Sequence, residues 1–177
     1  MLSLLNQYSR GRIAWLLLSL SVIIFEITAL YFQHGLGLPP CTLCIYQRCA
    51  LLGILFASII GIIASQNIIL RMIAILIWLF SAFKGFNLAT FQAQLQFAPN
   101  LGDTCSVNVQ FPSWLSLNEW FPSIFNAYGS CAEKLWSFLT IEMSQWMIII
   151  FACYLVVGLA VLISQLFSPN KKSIWRK

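Results

Sequence analysis

Cys41, Cys44 and Arg48 stand together in the run Pro39-Pro40-Cys41-Thr42-Leu43-Cys44-Ile45-Tyr46-Gln47-Arg48. A Cys-x-x-Cys pair can cycle between dithiol and disulfide. As a structural crosslink so short a bridge closes almost no chain and contributes little stability. At a helix N-terminus the dipole favours thiolate, which makes such pairs reactive. Redox chemistry is therefore favoured here over a purely structural bridge. Arg48 follows Cys44 by four positions and shares its helix face. Its cation can hold Cys44 as thiolate, donate hydrogen bonds to a polar acceptor lying between helices, or snorkel to an interface. Residue types alone leave these three roles open.

The elements that must position this trio are apolar helices. The chain has 177 residues, 60% hydrophobic and 8% charged, with a mean hydropathy of +0.84. A spanning helix needs roughly 20 mostly apolar residues. Residues 13–32, 45–64, 68–88 and 146–166 meet that need. The expected fold is an all-α integral membrane four-helix bundle, one domain over residues 1–177, with no room for a separate soluble one. Its outer loops are residues 33–44 and 89–145. The dithiol then lies where the second span enters the bilayer, within reach of soluble proteins and of lipid-soluble molecules. The first span reads as a retained anchor. Its apolar run exceeds the about 7–15 residues of a signal h-region, and no small-x-small site follows at Tyr31-Phe32-Gln33-His34.

The net charge of +5 is spread in a way that argues against a nucleic-acid surface. Arg10 and Arg12 precede the first span, Lys171, Lys172, Arg176 and Lys177 follow the fourth, and Arg71 adjoins the short link at 65–67. The segment between the third and fourth spans holds Lys134 against Asp103, Glu119, Glu133 and Glu142. The positive-inside bias places both termini and the 65–67 link in the cytoplasm, and the two outer loops on the other side.

Of six cysteines, Cys41, Cys44, Cys105 and Cys131 face the outer compartment, where disulfides persist. Cys49 and Cys153 lie inside spans and are expected to pack as small hydrophobes. A structural zinc site usually shows two close ligand pairs; Cys105 and Cys131 are far apart in sequence and His34 is the sole histidine. A Cys105–Cys131 bridge closing the loop can stabilise by about 3 kcal/mol, so a structural and a redox role stay equally open for that pair. Glu26 and Lys84 fall at similar depth in the first and third spans, and an ion pair between them is expected. In the long loop Pro99, Gly102, Pro112, Pro122 and Gly129 break any regular period. Its aromatic stretch at 111–121 reads as a short interfacial helix or turn, continued by Trp136, Phe138 and Trp146. Such anchoring holds the loop near Cys41 and leaves Cys105 more exposed. The rival to an enzyme is a four-span membrane adaptor with two structural disulfides and no turnover. A transporter needs polar residues lining several spans, and few are present.

Taken together the chain resembles the DsbB family, the disulfide bond formation proteins of bacterial inner membranes. The resemblance is carried by Asn6-Gln7, Trp15, Glu26, the Cys41-x-x-Cys44-Ile45-Tyr46-x-Arg48-Cys49-Ala50 run, Ile77-Trp78 through Gly85, Cys105 with Cys131, and Ser164-Gln165. It implies a protein-dithiol:quinone oxidoreductase that reoxidises a periplasmic DsbA-type dithiol carrier and passes electrons to membrane quinone, ubiquinone or menaquinone. It implies catalytic roles for Cys41, Cys44, Cys105 and Cys131. The Cys105–Cys131 pair meets the carrier, and Cys41 with Cys44 meets quinone, Cys44 and Arg48 forming the quinone side. No metal and no nucleic acid are implied. A carrier thiolate attacks Cys105, and Cys41, taken to be nearer water, is the sulfur attacked next. Carriers of this type are strong oxidants, so their reoxidation needs a stronger sink, which quinone in the same bilayer provides. At the end of the third span, where Phe91 and Gln92 stand, no further quinone-contacting residue is matched.

Overall fold

The computed structural model of the chain describes residues 11–97, 105, 109, 111, 117–133 and 136–167. In chain order it contains α1 (Arg12–Leu30), a π-helical turn (Tyr31–Gly35), α2 (Thr42–Ile63) and α3 (Ile68–Phe97). Two short helices follow, α4 (Leu117–Trp120) and α5 (Pro122–Phe125). A small antiparallel hairpin of β1 (Ser137–Phe138) and β2 (Ile141–Glu142) leads into α6 (Met143–Phe167). α1 with its π-turn, α2, α3 and α6 are long and apolar enough to cross a membrane, as the all-α four-helix reading expects. The expected markers Asn6-Gln7, Arg10, Pro99, Gly102, Asp103, Lys134, Lys171, Lys172, Arg176, Lys177 and the aromatic-stretch residues 112–116 lie outside the described residues.

Two boundaries differ from the sequence reading in ways that build the site. The second helix starts at Thr42, not at 45, so Cys41 becomes its N-cap with extended backbone (φ −85°, ψ 163°). Cys41 Sγ accepts the Cys44 N–H at 3.1 Å, doing for the first turn what a serine or aspartate oxygen usually does. The third helix does not end at 88 but runs on to Phe97. Its tail, Thr90-Phe91-Gln92-Ala93-Gln94-Leu95-Gln96-Phe97, is too polar to extend a hydropathy window. Glutamine, alanine and leucine are nevertheless good helix formers, and Ala89, Gln92 and Leu95 present a buried face. Thirty residues rise about 45 Å against about 30 Å of hydrocarbon. The last turns of α3 therefore stand beside the outer loop, level with the start of α2.

α2 packs against both α1 and α3, and α3 also packs against α6. α1 and α6 meet where Ser21 Oγ and Tyr154 Oη share a hydrogen bond of 2.9 Å and the Phe25 and Tyr154 rings meet edge to face. The core between them holds Trp15, Val22, Leu51, Ile54, Ile75, Trp78 and Phe151. Small residues let helices approach closely in the absence of a hydrophobic drive between them. Gly61 lies directly against the Trp15 indole and Gly85 against the Phe151 ring, so a Cβ at either position would overlap the ring. The link between α2 and α3 is closed by Asn67 Oδ1, which accepts the Ile69 N–H at 3.1 Å as an N-cap. The buried Arg71 guanidinium adds a hydrogen bond to the Ser65 carbonyl at 2.9 Å. Outward faces carry exposed Leu16, Leu20, Phe80 and Val156, a surface suited to lipid and not to water.

Candidate functional site

Two disulfides are present among the described residues: Cys41 is bonded to Cys44 and Cys105 to Cys131, with Cα–Cα separations of 5.1 and 6.1 Å. The backbone brings them together. Tyr128 and Gly129 both donate their N–H to the Pro40 carbonyl, at 3.0 and 3.1 Å, and Gly129 pairs with Cys41 in a parallel bridge. A Cβ on Gly129 would stand 2.5 Å from the Pro39 carbonyl oxygen, so this close approach requires glycine. Two residues further on, Cys131 enters a buried cluster with Cys41, Leu43 and Leu95, against which Cys44, Leu88, Phe91 and Cys105 pack. Phe111 helps to hold the loop down, edge-on to both Tyr46 and Phe125.

This docking corrects one expectation. Cys41 is not the sulfur nearer water: it is 2% exposed, because the 128–131 segment covers it, and Cys44 is the more open of the two. Within the loop pair Cys105 is half-buried and Cys131 is 1% exposed, so Cys105 is the more accessible, as expected. Cys49 is half-buried, whereas Cys153 is exposed on the face of α6 that turns toward α1.

A polar side chain beside both sulfurs of the Cys41–Cys44 bridge comes from a residue to which the sequence assigned no role. Gln92, on the overlooked extension of α3, places Nε2 3.5 Å from Cys41 Sγ and 3.5 Å from Cys44 Sγ. Its Oε1 accepts from Gln47 Nε2 at 2.7 Å. The signal available in sequence was the buried stripe Ala89, Gln92 and Leu95, continued by Gln96, at helical spacing past the hydropathic end of the span.

Arg48 is buried and turned inward, which removes the snorkelling role. Its Nε pairs with Glu26 Oε2 at 3.3 Å, and its Nη1 donates to Gln33 Oε1 at 2.8 Å and to the Ile124 carbonyl at 3.2 Å. Gln33, carried on the π-turn, donates in turn to the Ser123 carbonyl at 2.8 Å. The guanidinium also sits 5.8 Å from the centre of the Phe125 ring. Arg48 thus ties α1, α2 and α5 together. The expected Glu26–Lys84 pair is overturned. Lys84 is exposed on the outer face of α3, 5.7 Å from the Phe80 ring centre, and Arg48 takes its place. Depth along a span had suggested Lys84, but a partner must also lie on the facing side of its helix.

Cys44, Gln47, Arg48 and Gln92 line a cavity of about 350 Å³. Its walls are otherwise mostly apolar and include Phe25, Phe32 and Met147. Trp136 closes it, 5.0 Å from Phe32 and stacked nearly parallel on Phe138, which leads on to Trp146. A second, almost wholly apolar cavity of about 550 Å³ runs between α1 and α6 and shares Phe25, Trp146 and Ile150 with the first. Next to the chamber, sharing Cys44, Gln92, Trp136 and Met143 with it, a crevice of about 30 Å³ reaches the Cys41–Cys44 bridge past Glu133 and Glu142. One disulfide therefore faces an apolar, cation-bearing chamber at Cys44 and a second disulfide at Cys41.

A family model described as Disulfide bond formation protein DsbB matches residues 11–161. Disulfide bond formation protein B of Yersinia enterocolitica is 49% identical over 177 residues, covering 100% of each chain. The protein of the same name from Salmonella typhimurium is 49% identical over 175 residues, covering 99% of each. This chain belongs to the DsbB family of membrane disulfide-forming oxidoreductases.

Proposed function

We propose that this protein is a protein-dithiol:quinone oxidoreductase that recharges a periplasmic DsbA-type carrier. The supporting observation is the two-sided setting of Cys41–Cys44. Cys41 shares a buried cluster with Cys131, while Cys44 opens into the chamber that Arg48 lines. A carrier thiolate attacks the accessible Cys105, forms a mixed disulfide and expels Cys131 as a thiolate. The carrier's second thiol resolves that bond and leaves as carrier disulfide. Exchange of the freed loop thiols with Cys41–Cys44, entering at Cys41 because Cys131 lies in the same cluster, restores Cys105–Cys131. It leaves Cys41 and Cys44 as a dithiol. Re-forming the Cys41–Cys44 bond sends two electrons and two protons into quinone, so one carrier is oxidised for each quinone reduced.

The residues present suit such an acceptor. A mostly apolar pocket with a few convergent polar groups is the usual form of a small-molecule site. Arg48 supplies positive charge where an oxygen gains electron density, and the groove between α1 and α6 offers a track for an apolar tail. Quinone supplies the electron sink; proximity and charge are the protein's part. We also place the chain in the bacterial inner membrane as a single domain, with both termini cytoplasmic and the redox loops periplasmic, on the charge distribution of the loops.

The test is turnover of purified protein with reduced carrier, with and without quinone, counting both products. A one-to-one ratio is expected. Cys44→Ser is expected to abolish quinone-linked turnover while Cys105 still traps the carrier. No quinone-dependent carrier oxidation by the unmodified protein would return it to a four-span adaptor with structural bridges.

A further inference from the structure

Two buried amides beside the sulfurs are joined donor to acceptor. Gln47 and Gln92 are 2% and 5% exposed, and Gln47 Nε2 donates to Gln92 Oε1 at 2.7 Å. An amide side chain accepts at its oxygen and donates at its nitrogen. With its oxygen occupied by Gln47, Gln92 must turn its NH2 toward Cys41 Sγ and Cys44 Sγ, and it stands 3.5 Å from each. Reversing the Gln92 amide alone would leave two NH2 groups facing each other, and unmet buried donors are costly, so the orientation of Gln92 follows that of Gln47.

We propose that Gln92 is a catalytic hydrogen-bond donor to the Cys41–Cys44 sulfurs and that Gln47 is the positioning residue that decides which end of the Gln92 amide they meet. This deepens the function proposed above and rests on Cys41–Cys44 cycling between disulfide and dithiol. When two electrons and one proton enter that bond, the S–S link breaks, one sulfur carries the proton and the other is left as thiolate. A thiolate is a far stronger hydrogen-bond acceptor than a disulfide sulfur. Gln92 therefore stabilises the reduced pair more than the oxidised pair and makes the couple more oxidising. No atom passes through the amides. The Arg48 Nε and Nη1 are directed elsewhere, to Glu26, Gln33 and the Ile124 carbonyl.

The choice of residue at position 47 then acts at a distance. A glutamate there would accept and not donate. To meet it, Gln92 would have to swing its NH2 away and turn its oxygen onto the sulfurs. Gln47→Glu is thus expected to mimic loss of Gln92 although Gln92 is intact and side-chain volume barely changes.

The experiment equilibrates the full-length protein in detergent with mixtures of reduced and oxidised dithiothreitol, without carrier or quinone. The state of each cysteine is read by alkylation and peptide mass spectrometry. Gln92→Met is expected to lower the equilibrium constant for reducing Cys41–Cys44 about tenfold, which is about 30 mV for two electrons. Gln47→Glu is expected to lower it comparably, and the double variant no further than Gln92→Met alone. Gln92→Glu, which keeps the shape and presents an acceptor, gives the same direction should the methionine variant fail to fold. Shifts within twofold for the Gln92 variants overturn the donor role. An unshifted Gln47→Glu, or additive losses in the double variant, overturn the positioning role. A wild-type Cys41–Cys44 pair that never reduces in these buffers overturns the redox function itself, so the two failures are distinct.

Discussion

Arg48 Nε stands 3.3 Å from Glu26 Oε2, with the two side chains 9% and 12% exposed. The pair joins α1 to α2, and Arg48 also lines the chamber into which Cys44 opens. Removing one partner of a buried ion pair strands the other charge and costs about 3–5 kcal/mol. Arg48→Met is therefore expected to lower the unfolding midpoint in detergent sharply. Adding Glu26→Gln is expected to recover most of the loss, since neither charge then remains. Midpoints that simply add in the double variant would show that the two side chains do not support each other. The recovered double variant is expected to need more quinone for half-maximal turnover, because the chamber has lost its cation.

The Pro40–Gly129 contact places the loop disulfide against Cys41, and it can be loosened without touching any cysteine. In Gly129→Val the new side chain meets the Pro39 carbonyl, which is backbone and cannot swing aside. Overpacking of this kind costs about 1–3 kcal/mol, roughly 5–150-fold in the docked population. Capture of the carrier by Cys105 is expected to keep its rate, while electron arrival at Cys41–Cys44 slows by that factor. Rapid-quench alkylation, reading each cysteine pair over time, separates the two steps. An unchanged second step would mean that exchange does not pass through this docked form.

The spans and the dithiol were legible because both are local properties: hydropathy over one turn after another, and a motif within four residues. What was not legible depends on how elements rotate and meet. Glu26 and Lys84 were matched by depth, yet Lys84 leans over Phe80 on the outside and Arg48 faces in. Cys41 looked solvent-facing because it precedes the helix, but its burial is set by Tyr128 and Gly129, far along the chain. Gln92 was hidden by its polarity, which shortens a hydropathic span without shortening a helix. Gln33 and the Ile124 carbonyl became Arg48 partners only through the π-turn and α5, which no period in the sequence announces.

Gly61 and Trp15 test the packing of α1 on α2. Trp15 is 2% exposed and meets Trp78 edge-on at 6.2 Å, and on its α2 side the ring lies directly against Gly61. Gly61→Val pushes a branched side chain into that ring and is expected to destabilise by about 1–3 kcal/mol. Trp15→Leu alone is expected to cost more, about 2–5 kcal/mol, through the void it leaves. Together the two changes partly fill one another's defect, and the double variant is expected to lose less than the sum. Denaturation midpoints of the four proteins give the comparison, and strict additivity would mean that Gly61 and Trp15 do not press on each other.

The groove between α1 and α6 leads to a prediction about quinone tails. Val157 is half exposed and lines the 550 Å³ cavity, well away from Cys44 and Arg48, which belong to the neighbouring chamber. Val157→Trp fills part of the groove and leaves the chamber walls unchanged. Each buried CH2 is worth about 0.8 kcal/mol, so displacing one or two of them from a long isoprenoid chain costs roughly 4–15-fold in affinity. The KM for a long-tailed quinone is expected to rise by that factor with kcat unchanged. The KM for a tailless quinone, which needs the chamber alone, is expected to stay where it was. Equal effects on both would place the tail outside the groove, and an increase for the tailless compound alone would mean that position 157 acts on the head-group chamber.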